Sequence, residues 1–271
     1  MSTTTIFDEA TAIPIAEAAT EMRQTMGAVK LAFTAMGTRR KLSDNQLKQA
    51  VSLFDADAEQ VSASKKLIDT KHPAYRAVTT IKSQAASYWR GITLPYPVDG
   101  VRLIRHSDLA TFEAKMREFK EQLDQAVANL QEHYSQLKAS ARDKLGSLYN
   151  AADYPASVEG EFSISWEYPS IEPPQYLTQF NPGLYRQEQQ RVHQRFEAAV
   201  ELAESAFAEK LQELIDHLLE RLKENGDGKP KKFQASTIEN FRTFYQEFKQ
   251  LNVRGNTELD ELVGRANSLV A

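Results

Sequence analysis

The sequence predicts a mainly α-helical fold, an elongated helical bundle with a long antiparallel coiled-coil hairpin and a small β element. Two long stretches repeat apolar residues at intervals of three and four, the spacing that keeps them on one face of a helix. Glycine and proline are sparse, 11 and 10 among 271 residues, which favours long regular elements over frequent turns. An Asp-Gly pair between two apolar runs and one strictly alternating segment indicate the β element.

The first helix is predicted over 14–36. Apolar residues recur there every three to four positions, and Pro14 suits the first turn because its missing N–H needs no partner at that place. Gly37 is the expected C-terminal stop. The cations at 39–41 are expected to complement the negative end of the helix dipole.

Two further helices are predicted in the N-terminal region. Ser43 or Asp44 is expected to cap the second helix, since either side chain can accept a hydrogen bond from a free N–H of the first turn. The apolar face of this helix extends to Val61. The third helix is predicted over 73–89 and is ended by Gly91.

The β element is predicted in two parts. A hairpin over 92–104 has the Asp-Gly turn, and Pro95 and Pro97 confine its first arm to a sheet edge because proline lacks the N–H of a ladder. A strand is predicted over 161–168, where apolar and polar residues alternate.

The two long helices carry the strongest signal. They are predicted over about 107–148 and 183–224, joined by a proline-rich connection at 150–182. Each has an apolar seam that must be hidden from water, so we expect them to pair as an antiparallel hairpin. The apolar repeat alone does not determine whether each seam packs against the other helix of the same chain or against a second copy.

Three regions follow from these elements. The N-terminal helical region covers 14–106, the long hairpin covers 107–224, and the C-terminal helices cover 236–270. A loop rich in glycine is predicted at 225–230. The last region contains two helices, the second of which begins at Thr257.

The segment 65–106, called the basic head below, is strongly basic. It contains eight basic and two acidic residues, a net charge of +6, whereas the whole chain has −4. Cations bind phosphates or carboxylates, and aromatic faces stack on unpaired bases, so the basic head predicts an acidic protein partner or a nucleic acid. A solvated, internally paired surface is the remaining alternative. The predicted contact residues are Lys66, Lys71, Arg76, Lys82, Trp89, Arg90, Tyr96, Arg102 and Arg105.

The sequence lacks the motifs of several kinds of catalytic and metal-binding site. The absence of cysteine excludes disulfides, thiolate metal sites and cysteine nucleophiles. The five histidines lack metal-ligand spacing, and there is no Walker loop, dinucleotide fingerprint or Gly-x-Ser-x-Gly elbow. We therefore expect a protein without enzymatic activity, metal or cofactor. With no apolar run near the ~18–20 residues of a membrane span and no readable signal peptide, we expect a cytoplasmic protein without a membrane partner.

Four short motifs lie in a fixed order along the chain. They are Tyr-Trp-Arg-Gly-Ile-Thr-Leu-Pro at 88–95, Gly-Val-Arg-Leu-Ile at 100–104, Leu-Gly at 145–146 and Tyr-Pro at 154–155. This order resembles an uncharacterised bacterial and phage family of unknown function, over roughly 71–174. Members are sometimes encoded near MoxR-type AAA ATPases and von Willebrand A-domain proteins. The resemblance implies an accessory protein of such an assembly and provides no catalytic residues.

The leading functional hypothesis is a non-enzymatic helical scaffold or adaptor. Its basic head would contact an acidic partner in a phage- or mobile-element-associated assembly, with an AAA ATPase or a von Willebrand A-domain protein as the candidate partner. The alternative is a nucleic-acid-binding accessory protein of phage replication, recombination or defence. A third hypothesis is self-association through the coiled-coil seams.

Overall fold

The computed structural model describes residues 15–222, 235–252 and 257–270. Helices dominate these residues and the strands are short, which confirms the mainly α fold with a small β element. The helices are α1 (Ile15–Thr25), α2 (Asp44–Val51), α3 (Pro73–Gly91), α4 (Leu109–Leu145), α5 (Leu177–Phe180), α6 (Pro182–Leu222), α7 (Ala235–Leu251) and α8 (Thr257–Val270). The strands are β1 (Met26–Thr34), β2 (Arg39–Lys41), β3 (Ser64–Lys66), β4 (Leu94–Pro95), β5 (Val101–Arg105) and β6 (Ser163–Glu167).

The strands form two sheets. A four-stranded sheet has the order β4-β5-β1-β6, and β2 and β3 form a separate two-stranded ribbon. The predicted hairpin is present as β4 and β5, which pair antiparallel with Leu94 opposite Leu103. Both long helices and the predicted strand at 161–168 are present as α4, α6 and β6. The predicted loop at 225–230 lies outside the described residues.

The predicted first helix is too long. α1 ends at Thr25, and the chain continues as β1 instead of remaining helical to Met36. β1 pairs antiparallel with β5 across five residue pairs. The apolar spacing fits either structure, but Gly27 and Val29 are weak helix formers, and the ladder to β5 gives their backbone groups partners. The tertiary pairing therefore overrides the helical pattern.

The second predicted helix is also shorter than expected. Ser43 caps α2 in a capping box: its hydroxyl accepts from the Gln46 N–H at 3.4 Å, and the Gln46 amide oxygen accepts from the Ser43 N–H at 3.1 Å. Beyond α2 the chain forms short 3₁₀ turns and does not stay α-helical to Val61. Asp55 has φ +51°, a left-handed conformation that ends the helical turn.

The described residues divide into two compact units, each assembled from separate stretches of chain. The first unit comprises 15–30, 89–109 and the described residues from 167 onwards, and the second comprises 31–88 and 110–166. α6 thus belongs to the first unit, and all of α4 except its first residue belongs to the second. The three regions inferred from chain order stay a prediction.

The core of the first unit forms around α6. The N-terminal half of α6 packs against α1, β4 and β5, with Met22, Leu103 and Phe196 fully buried. Its C-terminal half packs against α7 and α8, where the ring of Phe207 lies 5.1 Å from that of Phe248. The apolar seam of α6 is therefore covered by elements of its own unit.

The core of the second unit forms around α4. The ring of Tyr88 in α3 stacks at 6.5 Å on Phe112, and Trp166 in β6 meets the same phenyl ring edge-on at 6.4 Å. Further along α4, the Tyr134 hydroxyl donates to the Pro155 carbonyl at 3.1 Å. The seam of α4 is thus also buried within its unit, and the direct antiparallel pairing of α4 with α6 stays a prediction.

Candidate anion-binding face

The β2–β3 ribbon brings two short basic segments side by side. Arg39 pairs with Lys66, Arg40 with Lys65, and Lys41 with Ser64. Opposite residues of an antiparallel pair share a face, and successive residues alternate between faces. The ribbon therefore has an outer face with three exposed cations and an inner face with two other cations.

The two cations of the inner face share one carboxylate. Lys65 is only 8% exposed, and its ammonium lies 2.7 Å from Oδ2 of Asp153 and donates to the Leu148 carbonyl at 2.6 Å. Arg40 Nε donates to Asp153 Oδ1 at 3.2 Å. The ammonium of Lys65, with Arg40 adding to it, holds the pKa of the Asp153 carboxyl below its ordinary value although burial opposes the effect. These cations hold the ribbon in place.

The outer face has no such compensation. Arg39, Lys41 and Lys66 are exposed, and none of them forms an ion pair with a described residue. Arg39 and Lys66 lie directly opposite each other. Like charges in that position destabilise an antiparallel pair, so an anion bound between them would relieve the repulsion.

A cavity of about 390 Å³ adjoins Lys66. Its walls are apolar and come from the segment after β3 and the last turns of α4. Three lysines, Lys66, Lys71 and Lys144, line it together with one acid, Asp69. The Tyr154 hydroxyl donates to the Leu67 carbonyl at 2.8 Å and so fixes one wall, and burial raises the pKa of this phenol to about 12. The complete lining is Lys66, Leu67, Ile68, Asp69, Lys71, Leu137, Ser140, Ala141, Lys144 and Leu145.

We call this surface of the second unit the basic face. Its members are exposed cations on the outer side of the ribbon or at the cavity: Arg39, Lys41, Lys66, Lys71 and Lys144. Among the predicted contact residues, Lys66 and Lys71 belong to it. Asp69 accepts a hydrogen bond from the Lys71 backbone N–H at 2.9 Å, which fixes the backbone beside the cavity.

Two more predicted contact residues lie on α3 in the second unit. Arg76 is exposed and forms no ion pair with a described residue. The Lys82 ammonium lies 5.2 Å from the centre of the Phe33 ring, within the range of a cation–π contact. Neither residue lines the cavity.

The predicted aromatic contacts are not available for stacking. Trp89 is 9% exposed and Tyr96 is 6% exposed, so neither ring has a free face for a base. The Tyr96 ring packs edge-on against Phe196 at 5.7 Å. This burial does not favour the expectation that the two rings stack on nucleotides, which stays a prediction.

The remaining arginines of the basic head lie in the first unit. Arg102 donates from Nε to the Thr93 hydroxyl and from Nη2 to the Thr93 carbonyl, both at 2.7 Å. Burial and then the neighbouring charge of Arg90 lower the pKa of the Arg102 guanidinium to about 10. Arg105 forms an ion pair with Asp108 at 2.8 Å and donates to a backbone carbonyl. Arg102 and Arg105 are therefore structural, and Arg90 remains exposed.

Sequence reasoning missed three cations of the basic face. Arg39 and Lys41 lie in a run of three basic residues that was assigned to a helix end, and the strand pairing gives them a different place. Lys144 lies near the end of α4, and nothing in its local sequence relates it to Lys66 and Lys71, which lie far earlier in the chain and line the same cavity. Only the run of cations at 39–41 could have indicated part of the basic face from the sequence.

Across 15–222, 235–252 and 257–270, no group of three or more histidine, aspartate or glutamate side chains could hold a metal ion. Within the same residues, no helix combines the length and apolar character needed to cross a membrane.

Comparison with known proteins adds no relative. No protein-family model, curated protein or solved structure matches the chain. The resemblance to the bacterial and phage family stays a prediction.

Proposed function

We propose that this chain is a non-enzymatic interaction protein that binds an acidic protein partner through the basic face. The observation that carries the proposal is the like-charged cross-strand pair of Arg39 and Lys66 on an exposed ribbon. A folded protein keeps such a pair at a cost of a few tenths of a kcal/mol or more unless an anion lies against it. A carboxylate-rich surface would supply that anion.

The cavity favours a protein as this partner. Its lysines lie beside apolar walls of Leu67, Ile68 and Leu137, so it suits an acidic segment that also carries an apolar side chain. The outside of a duplex nucleic acid presents phosphates, with no flexible apolar side chain to enter the cavity. With Trp89 and Tyr96 buried, the residues predicted to stack on bases offer it no aromatic platform.

The predicted resemblance suggests which partners to try first. We propose a MoxR-type AAA ATPase or a von Willebrand A-domain protein, in a phage- or mobile-element-associated assembly in the cytoplasm. The protein would act there as a helical adaptor.

The test is a salt-titrated binding assay with the full chain. The probes are fluorescent poly-L-glutamate and single- and double-stranded DNA of about the same charge, followed by fluorescence anisotropy. We expect poly-L-glutamate to bind more tightly than DNA and to lose affinity as salt rises, since screening weakens exposed charge contacts. The double variant R39E/K66E should bind poly-L-glutamate at least about tenfold more weakly, a loss of about 1.4 kcal/mol.

The matched control reverses two other exposed cations of the same unit. In R76E/K82E the net charge changes by the same amount, but the basic face is intact. We expect its affinity for poly-L-glutamate to stay within about twofold of the wild type. Equal losses in both variants would show a nonspecific charge effect and contradict the proposal. Tighter binding of either DNA than of poly-L-glutamate would support the nucleic-acid alternative.

A further inference from the structure

The connection between β2 and β3 presents an exposed apolar pair. Residues 42–63 form this connection, and the Leu42 N–H donates to the Ala63 carbonyl at 3.0 Å to close its base. After α2, Leu53 and Phe54 are 83% and 80% exposed. A single exposed leucine is ordinary, but two adjacent large apolar side chains exposed on one short turn are typical of a contact site.

The residues that follow this pair are acidic. Asp55, Asp57 and Glu59 come within five positions of Phe54, and all three are exposed. Asp57 accepts a hydrogen bond from the Glu59 backbone N–H at 2.9 Å, which orders the chain at this point. We call residues 53–59 the tip. The tip therefore combines an apolar pair with three carboxylates.

The cavity of the basic face has the complementary chemistry. It has apolar walls, and Lys66, Lys71 and Lys144 line it. Its volume of about 390 Å³ falls in the range of ~300–1,000 Å³ seen for ligand pockets. Removing a phenylalanine or leucine side chain from water stabilises a contact. The carboxylates of the tip would meet three lysines that share the cavity with a single acid, Asp69.

We propose that the tip of one copy of this protein inserts into the cavity of a second copy. Phe54 or Leu53 would contact the apolar walls, and the carboxylates of 55–59 would pair with the lysines around them. The inference goes beyond the proposed function, since it needs no foreign partner. The two surfaces are different, so the contact is heterologous and repeats into a ring or an open chain of subunits.

The first experiment measures oligomeric state by sedimentation velocity across a concentration series. We expect the wild type to form species larger than a dimer and F54S to remain monomeric. Phe54 is so exposed that its replacement should leave folding intact. The matched control is F180S, since Phe180 is 81% exposed and lies outside the tip; it should assemble like the wild type.

The second experiment tests the direction of the contact by mixing two variants. F54S lacks the tip but has the cavity, and K144E has the tip but an altered cavity. Each should be monomeric alone, and the mixture should form dimers and nothing larger, because only one tip–cavity contact is possible. Circular dichroism confirms that both variants are folded.

Three outcomes would overturn the inference. They are a wild type that stays monomeric up to about 100 µM, equal loss of assembly in F54S and F180S, or a mixture of F54S and K144E without dimers. The proposed function can be tested separately from this inference, because F54S retains every cation of the basic face. F54S should therefore bind poly-L-glutamate at least as tightly as the wild type.

Discussion

Lys65 and Lys66 are adjacent residues with the same chemistry and different roles. The strand alternates its side chains, so Lys65 points inward to Asp153 and Lys66 points outward from the ribbon. Lys65 is 8% exposed, and its ammonium has both a carboxylate and a carbonyl as partners. A charge count over this segment cannot separate the two.

The first residue-scale prediction compares these neighbours. We expect K65A to lower the free energy of unfolding by about 3 kcal/mol, because it leaves a nearly buried carboxylate without its main partner. K66A should change it by less than about 0.5 kcal/mol, because Lys66 is exposed and its removal ends the repulsion with Arg39. Urea denaturation of both variants tests this. Equal effects would contradict the assignment of Lys65 to the inner face.

The second residue-scale prediction concerns pH. The pKa of the Asp153 carboxyl is lower in the folded protein than in the unfolded chain, so the unfolded chain binds more protons as acid is added. The stability that this carboxylate contributes is present above its unfolded value of about 4 and is lost as the pH falls through the folded value. The unfolding free energies of wild type and D153N should therefore differ most near pH 7 and converge in acid. A difference that is constant from pH 7 to pH 3 contradicts this account.

At the scale of elements, local sequence signals set the ends of helices, whereas tertiary pairing sets the choice between helix and strand. The capping box at Ser43 and the left-handed turn at Asp55 set the ends of α2 and its following turn from local chemistry. β1 is different, because its apolar spacing fits a helix and only its pairing with neighbouring strands makes it a strand. A helix end can thus be read locally, whereas the choice between helix and strand at 26–34 cannot.

The element-scale prediction compares two glycines that end or lie within helices. Gly146 follows α4 with φ +49°, where an alanine is strained, so G146A should cost about 1 kcal/mol. Gly264 lies inside α8, and an added Cβ there would meet no heavy atom within 4 Å. G264A should stabilise by about 0.5–1 kcal/mol through helix propensity. Thermal denaturation should show opposite shifts of Tm, and shifts of the same sign would contradict the prediction.

At the scale of the whole molecule, strand pairing and packing bring cations from separate segments of the chain together. The basic face combines cations of β2, β3, the following segment and the end of α4 in one unit. The same lysines are proposed to receive an acidic partner and the tip of a second copy. The two contacts are then mutually exclusive, so partner binding would disassemble the protein.

The whole-molecule prediction tests this competition. Poly-L-glutamate should dissociate wild-type assemblies into monomers. The wild type should also show a weaker apparent affinity for poly-L-glutamate at 50 µM protein than at 1 µM protein. F54S, which lacks the apolar pair of the tip, should show the same affinity at both concentrations. Sedimentation velocity and anisotropy measure the two effects. Assemblies that persist with poly-L-glutamate bound would show that the sites are separate.

The predictable part of the site was limited to a list of cations. Lys66 and Lys71 are exposed, as a contact residue has to be, but Arg102 and Arg105 of the same segment are held by hydrogen bonds and an ion pair. Trp89 and Tyr96 have the right chemistry for stacking and are buried instead. Residue type indicates which contacts a side chain can make, and packing determines which it does make.

The sequence by itself determined the elements whose signals are local and long. The seams of α4 and α6, the proline start and glycine end of α3, and the cap of α2 all follow from spacing and backbone chemistry. Only the tertiary structure decided that 26–34 is a strand, that Lys65 is buried on Asp153, and that Lys144 joins Lys66 at one cavity. Each of these depends on residues far apart in the chain. Burial and strand pairing arise from such distant contacts, and no periodicity within a single segment encodes them.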